Sequence, residues 1–318
     1  MSTAPSVPLF VGIQPRLPGA LNRWRWFLRP IPAERMAALR VAVALVALLD
    51  IGIACVPQFG AFFSESGLGG PNAYPSRFRD GHYYWSLLRV LPGSWGPAVL
   101  MAAWACAAVG LLVGWRPLVS GLVCWACAVS FWNINYGLCN GGDQIRNSLF
   151  LAVAVGRSGA VWGVESVRQN GRAGACVVPG WPAKVLLVQF VCLYGFSAVY
   201  KLLSPGWQSG YVMYFVNHDL EWSLTPALSP YLPAFLHRLS SWVAIAWELA
   251  FPVLLAFRRT RALCLWVGVA FHVITFFTLE VGHFALYSLA FYVLFVPWER
   301  RGRRTPPLER EGGSKPKS

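Results

Sequence analysis

The chain is 318 residues long, 56% hydrophobic and 13% charged, with 16 tryptophans and a mean hydropathy of +0.48. Soluble domains carry about 25% charged residues, so the composition excludes an ordinary soluble domain and places the chain in a bilayer. The net charge of +14 does not point to nucleic acid, because the basic residues sit in short segments between and beyond the apolar runs, the pattern that sets membrane orientation.

Residues 1–35 form a basic N-terminal tail rich in Pro and Arg, with no apolar stretch of the kind a cleavable signal needs before the first long run. The tail is expected to be cytoplasmic, with an interfacial helix near Arg23-Trp24-Arg25-Trp26. A helix needs roughly 20 residues to cross the hydrocarbon. Runs at 36–57, 96–115, 117–135, 145–163, 182–203, 239–257, 261–280 and 283–298 meet or approach that length. They predict an all-α fold, a polytopic transmembrane helical bundle of about eight spans over residues 36–298. The fourth run is interrupted by Gly156, Arg157 and Gly159, and the eighth is short and closed by Pro297. The charged, Pro/Gly-rich segment 299–318 is expected to be a disordered cytoplasmic tail.

With the N-terminus inside, 21 of the 27 Lys and Arg residues fall on the cytoplasmic side and 6 on the other. That bias predicts an integral, multi-pass protein with both termini cytoplasmic, as in a bacterial cytoplasmic membrane. Two exterior loops, 58–95 and 204–238, are long enough to act as caps. The eight cysteines form no framework, and Cys124-x-x-Cys127 lies inside an apolar run, where cysteines pack as small hydrophobes.

Within the spans a few ionisable residues interrupt otherwise apolar sequence, at a cost of at least about 2.5 kcal/mol each near the bilayer centre. Lys201 follows Tyr194 through Tyr200 and precedes Trp207 by six residues. In such an aromatic setting it is either a base or an ammonium that snorkels to the headgroups. Glu248 is either a proton relay or an ion-pair partner, and His272 either an acid/base group or an interhelical hydrogen bond. Asp50 is expected to pair with Arg40 or Lys201. Asn140-Gly141-Gly142-Asp143 is a polar break before the fourth span, whose carboxylate could orient a lysine or a bound hydroxyl. No metal-ligand spacing, phosphate loop or nucleophile elbow is present in the sequence, so no metal is expected.

These pieces, in this order, resemble the HTTM family, the membrane domain shared with vitamin K-dependent γ-carboxylase. The resemblance covers about residues 30–298 and rests on several stretches. They are Ala38-Leu39-Arg40, Asn140 through Asp143, Tyr194 through Lys201 with Trp207 and Gly210, Glu248 with Pro252, His272, and Phe284 with Phe295-Val296-Pro297. It implies Lys201 as a base acting on reduced vitamin K or menaquinone. It further implies Asp143, Glu248 and His272 as positioning and proton-relay groups, with Trp207, Tyr194 and Asn140 binding the substrate or cofactor. The carboxylase carries paired lysines where this chain has Tyr200-Lys201, and a His where it has Asp143. Lipase maturation factors and a sporulation-delaying-peptide maturation component resemble the same domain. The resemblance therefore also implies an alternative, a non-catalytic partner for maturing or exporting a small secreted peptide. The partners implied are the lipid bilayer and a peptide or protein substrate.

Overall fold

The computed structural model describes residues 25–64, 67, 85–91, 95–133, 140–170, 177–257 and 259–298. Most of the 58–95 loop, the interfacial segment before Arg25 and the 299–318 tail lie outside the described residues. Eight helices make the body. They are α1 (Ala33–Leu49, continued by a π-helical segment Asp50–Cys55), α2 (Gly96–Val113), α3 (Pro117–Trp132), α4 (Gly141–Val155), α5 (Trp181–Leu203), α6 (Ala234–Ala256), α7 (Arg261–Thr278) and α8 (Phe284–Tyr292, ending in a 3-10 turn Val293–Phe295).

Among the described residues five of these, α1, α2, α5, α6 and α7, are long and apolar enough to cross a membrane. The others are shorter, with 16 residues in α3, 15 in α4 and 9 in α8 before its 3-10 turn. Of the eight expected spans, five are thus matched by helices of spanning length among the described residues, and the other three correspond to shorter helices. The fourth is displaced from its expected 145–163. It starts at Gly141 and stops at Val155, because the backbone turns through positive φ at Arg157 and Trp162.

Prolines mark the starts: Pro97, Pro117 and Pro182 sit in first turns, where the missing N–H has no helical partner in any case. Helices close on one another through small residues, as apolar surroundings require. Ala37, Ala44 and Ala47 on α1 are fully buried. A Cβ on Gly121 of α3 would lie 2.8 Å from the Ala154 side chain on α4. Phe190 of α5 stacks on Phe291 of α8 at 3.7 Å. Cys124 and Cys127 are buried free thiols, as packing residues should be.

The two ends of the bundle differ. At one, strand β1 (Ile31–Pro32) pairs antiparallel with β2 (Val177–Val178), and Lys184 donates to the carbonyls of Phe27 and Arg29 at 3.1 and 2.8 Å. Arg40, buried on α1, gives its protons to the carbonyls of Ser158 (3.1 Å), Leu111, Leu112 (2.9 Å) and Trp162 (2.6 Å). It thereby satisfies the C-terminal end of α2 and the turn that follows α4.

At the other end, residues 204–232 fold into short helices, Pro205–Ser209 and Val212–His218, and a 3-10 turn Ser229–Tyr231. This cap is tied to the end of α7 by Leu224 N–H to the Thr278 carbonyl (3.0 Å) and Glu280 N–H to the Trp222 carbonyl (2.9 Å). Asn217 Nδ2 donates to His237 Nδ1 of α6 at 2.9 Å, which fastens the cap to α6.

Candidate functional site

The capped end holds Asp50, Asp143, Arg146, Lys201 and Glu248. Lys201 stands in the last turn of α5, two turns from Tyr194 on the same face. Its ammonium forms an ion pair with Glu248 Oε1, donates to Ser197 Oγ at 3.1 Å and lies 4.8 Å from the centre of the Trp207 ring. The side chains of Lys201 and Glu248 are 18% and 6% exposed. Glu248 Oε2 is buried with no hydrogen-bond partner. One turn beyond, Pro252 interrupts α6. Having no N–H, it leaves the Glu248 carbonyl without its helical donor.

Trp207 is held over the lysine by the turn that follows α5. Gln208 donates to the Leu202 carbonyl at 2.5 Å, Trp242 donates to the Gln208 carbonyl at 3.0 Å, and Ser241 donates to the Gly210 carbonyl at 2.8 Å. Gly210 has φ +81°, and a Cβ there would press within 3.2 Å of the Arg238 backbone. The Lys…Trp…Gly spacing is therefore a device for bringing an aromatic face onto a buried cation.

The pair borders a cavity of about 800 Å³. Its walls are mostly apolar, from Leu193, Phe196, Met213, Val243, Phe271 and Ile274, with Tyr194 among them. The Tyr194 hydroxyl meets His272 Nε2 at 2.5 Å and the Tyr292 hydroxyl at 3.0 Å. His272 is fully buried, and its Nδ1 has no partner. Lys201, Glu248, Tyr194, Trp207 and, through Tyr194, His272 are thus brought together.

Asp143 and Asn140 are placed elsewhere. Asn140 Oδ1 accepts from Gly142 N–H at 2.7 Å and Asp143 Oδ2 accepts from Asn140 N–H at 2.8 Å, so the two residues cap the start of α4. Asp143 Oδ1 also holds Arg146 at 2.7 Å, and Arg146 reaches Asp50 Oδ2 at 3.2 Å. Tyr287 donates to Asp50 Oδ2 at 2.9 Å, and His283 Nδ1 lies 3.1 Å from Asp50 Oδ1. The expected pairing of Asp50 with Arg40 or Lys201 is overturned. Arg40 is committed to carbonyls at the far end of α1, and Asp50 enters the π-helical segment facing Arg146.

This second network lines a smaller cavity of about 270 Å³. Phe284 belongs to both cavity walls, with Gly141 on the larger side and Gly142 on the smaller. A Cβ on Gly142 would lie 2.7 Å from Phe284 Cα, so the glycines let the start of α4 seal against α8. Arg146, Tyr287 and Tyr292 carry no signal of their own in the sequence. Only the three-residue spacing of Asp143 and Arg146 on one helix hints at the first. No group of His, Cys, Asp or Glu able to hold a metal occurs among the described residues.

The HTTM domain family matches residues 28–299. No curated protein and no solved structure matches the chain.

Proposed function

The chain belongs to the HTTM family, and from that premise we propose that it is a carboxylase-like membrane enzyme acting on a quinol-type molecule from the exterior face. The observation that carries the reading is the Lys201–Glu248 pair set into the wall of an apolar cavity of about 800 Å³. Its volume and walls suit a fused aromatic ring bearing an apolar tail, and its polar edge suits a hydroxyl. Reduced vitamin K or menaquinone is the cofactor class that fits. When bound, it would supply the ionisable hydroxyl and the reducing electrons.

The chain's own part is to hold that hydroxyl and take its proton. With Lys201 paired, the base is the pair as a unit. The open Oε2 of Glu248 accepts the proton, and the Lys201 ammonium stays beside the oxygen that released it. Trp207 over the ammonium and the cap at 204–232 limit water, which strengthens both interactions. Tyr194, fixed by His272 and Tyr292, offers a hydroxyl on the same wall. Asp143 and Asn140 act one layer back, by holding α4 and Arg146 in place.

The test is binding of a reduced menaquinone analogue to purified protein, with formation of its epoxide followed in parallel under dioxygen, the oxidant that supplies the epoxide oxygen and is itself reduced. Lys201→Ala, Lys201→Arg and Glu248→Gln should each lose about tenfold or more in binding or turnover, the scale of a lost charge-assisted contact. Arginine does not replace lysine here, because its planar fork of donors engages a carboxylate through two bonds, which would occupy the open Oε2 of Glu248 that the compact ammonium leaves unpartnered. If the unmodified protein binds no quinol, the site is not a quinol site, and the peptide-maturation partner becomes the better reading.

A further inference from the structure

The cavity beside Lys201 has walls that belong to two environments. Tyr194 and Ala244 are buried in the bundle, whereas Phe196 on α5 is 65% exposed and Ile274 on α7 is 62% exposed, with Val243 on α6 also exposed. These three are large, exposed apolar residues of its wall and form the apolar part of its rim. Phe196 and Ile274 lie on the two least buried of the five helices of spanning length. Only 22% of the apolar window in α5 and in α7 is buried, against 39–44% in α1, α2 and α6. In a helix of spanning length, an apolar face left open in this way is covered by lipid.

The other end of the cavity is closed. Trp207 and Met213 of the cap and Leu279 and Val281 of the turn after α7 line it there, and the Ser223–Leu279 bridge locks cap to turn. The cap itself exposes Phe215, Leu220, Trp222 and Tyr231, the side chains that seat a segment at the headgroup level. The charged pair lies just beneath it, with Lys201 on the last turn of α5 and Glu248 on α6.

We infer that the cavity fills sideways from the bilayer, through an opening rimmed by Phe196, Val243 and Ile274, under a cap seated in the lipid headgroups. Its ligand is then a membrane-dissolved amphiphile that enters tail and ring together and brings its polar head to Lys201–Glu248. A solute from water would have to pass the closed cap. The inference shares its cavity with the quinol reading, but it is tested without a quinol, so either can fail alone.

The test uses two carbene-generating diazirine probes on the full chain in lipid nanodiscs. One is an apolar phenyl diazirine dissolved in the bilayer, the other a sulfonated diazirine confined to water. Labelled positions are read by peptide mass spectrometry. The apolar probe should mark the rim at Phe196 and Ile274 and also the inner wall around Ser197 and Thr275. The sulfonated probe should mark the cap and leave the inner wall clean. Val243→Trp and Ile274→Trp, both at the lipid-facing rim, should abolish inner-wall labelling by the apolar probe while labelling of α5 outside the cavity persists. Equal labelling of the inner wall by the sulfonated probe would overturn the inference, as would wall labelling that survives both tryptophans. An unlabelled rim would overturn it too, because another chain would then cover that face.

Discussion

Two buried cations of this chain have opposite surroundings, and the difference separates a structural residue from a functional one. Arg40 faces four backbone carbonyls and no carboxylate. Four of the five N–H donors of its fork are used, and it lines neither the cavity beside Asp50 nor the one beside Lys201. Lys201 faces a carboxylate, one of whose oxygens is unpartnered, and an open cavity. Arg40→Met should therefore cost about 3 kcal/mol or more of stability, because it strands several buried carbonyls at once. Thermal unfolding in detergent would show a large drop in the midpoint. The double variant Lys201→Met/Glu248→Leu should behave in the opposite way. Replacing a buried pair by apolar side chains is often neutral or stabilising by about 1–4 kcal/mol, so the protein should unfold no earlier while quinol binding disappears. A fall in the midpoint comparable to that of Arg40→Met would show that the pair serves the fold.

At the scale of elements, α3 and α4 show what limits a sequence reading of this kind. Gly121 has no room for a side chain, since an added Cβ would sit 2.8 Å from the Ala154 Cβ and 3.0 Å from its Cα. Gly121→Val should push α4 outward, lower the unfolding midpoint and loosen Arg146 from Asp50, since Arg146 rides on α4 and Asp50 on the continuation of α1, which α4 touches. Gly195→Ala, where a Cβ meets nothing within 4 Å, is the matched control and should change neither. The apolar runs and the Lys201–Trp207–Gly210 turn were legible because each is a continuous stretch with one physical cause. Position along the bundle was legible as well, and it gathered Asp143 with Lys201 at one end. Azimuth around the bundle was not. Asp143 and Lys201 share an end but lie on opposite sides of Phe284, a fact fixed by the close contact of Gly142 with α8. Arg146, Tyr287 and Tyr292 have no role legible in the sequence, because nothing in a single sequence says which side chain a helix turns inward.

For the whole molecule the distribution of charge and the distribution of chemistry run in opposite directions. The end that carries the β1–β2 clamp also carries Arg29, Arg35, Arg116, Arg157, Arg168, Lys184, Arg259 and Arg261. The capped end has Arg89, Lys201, Arg146 and Arg238, of which Arg146 and Lys201 are held in ion pairs and Arg238 lies over Tyr211 and Trp242. An end with few cations, opposite an end with many, fits an orientation with the clamp inside. Single cysteines placed at Glu165, beside the clamp end, and at Leu220, on the cap, would read the orientation in intact cells with a membrane-impermeant maleimide. Leu220→Cys should react from outside and Glu165→Cys only after the membrane is opened. This orientation sets which leaflet supplies the cavity, because the rim lies within the outer reach of α5 and α7 and the polar pair beneath the cap. The reverse pattern would put the cap and the Lys201–Glu248 pair in the cytoplasm and rule out chemistry on an exterior substrate, whatever the cavity binds.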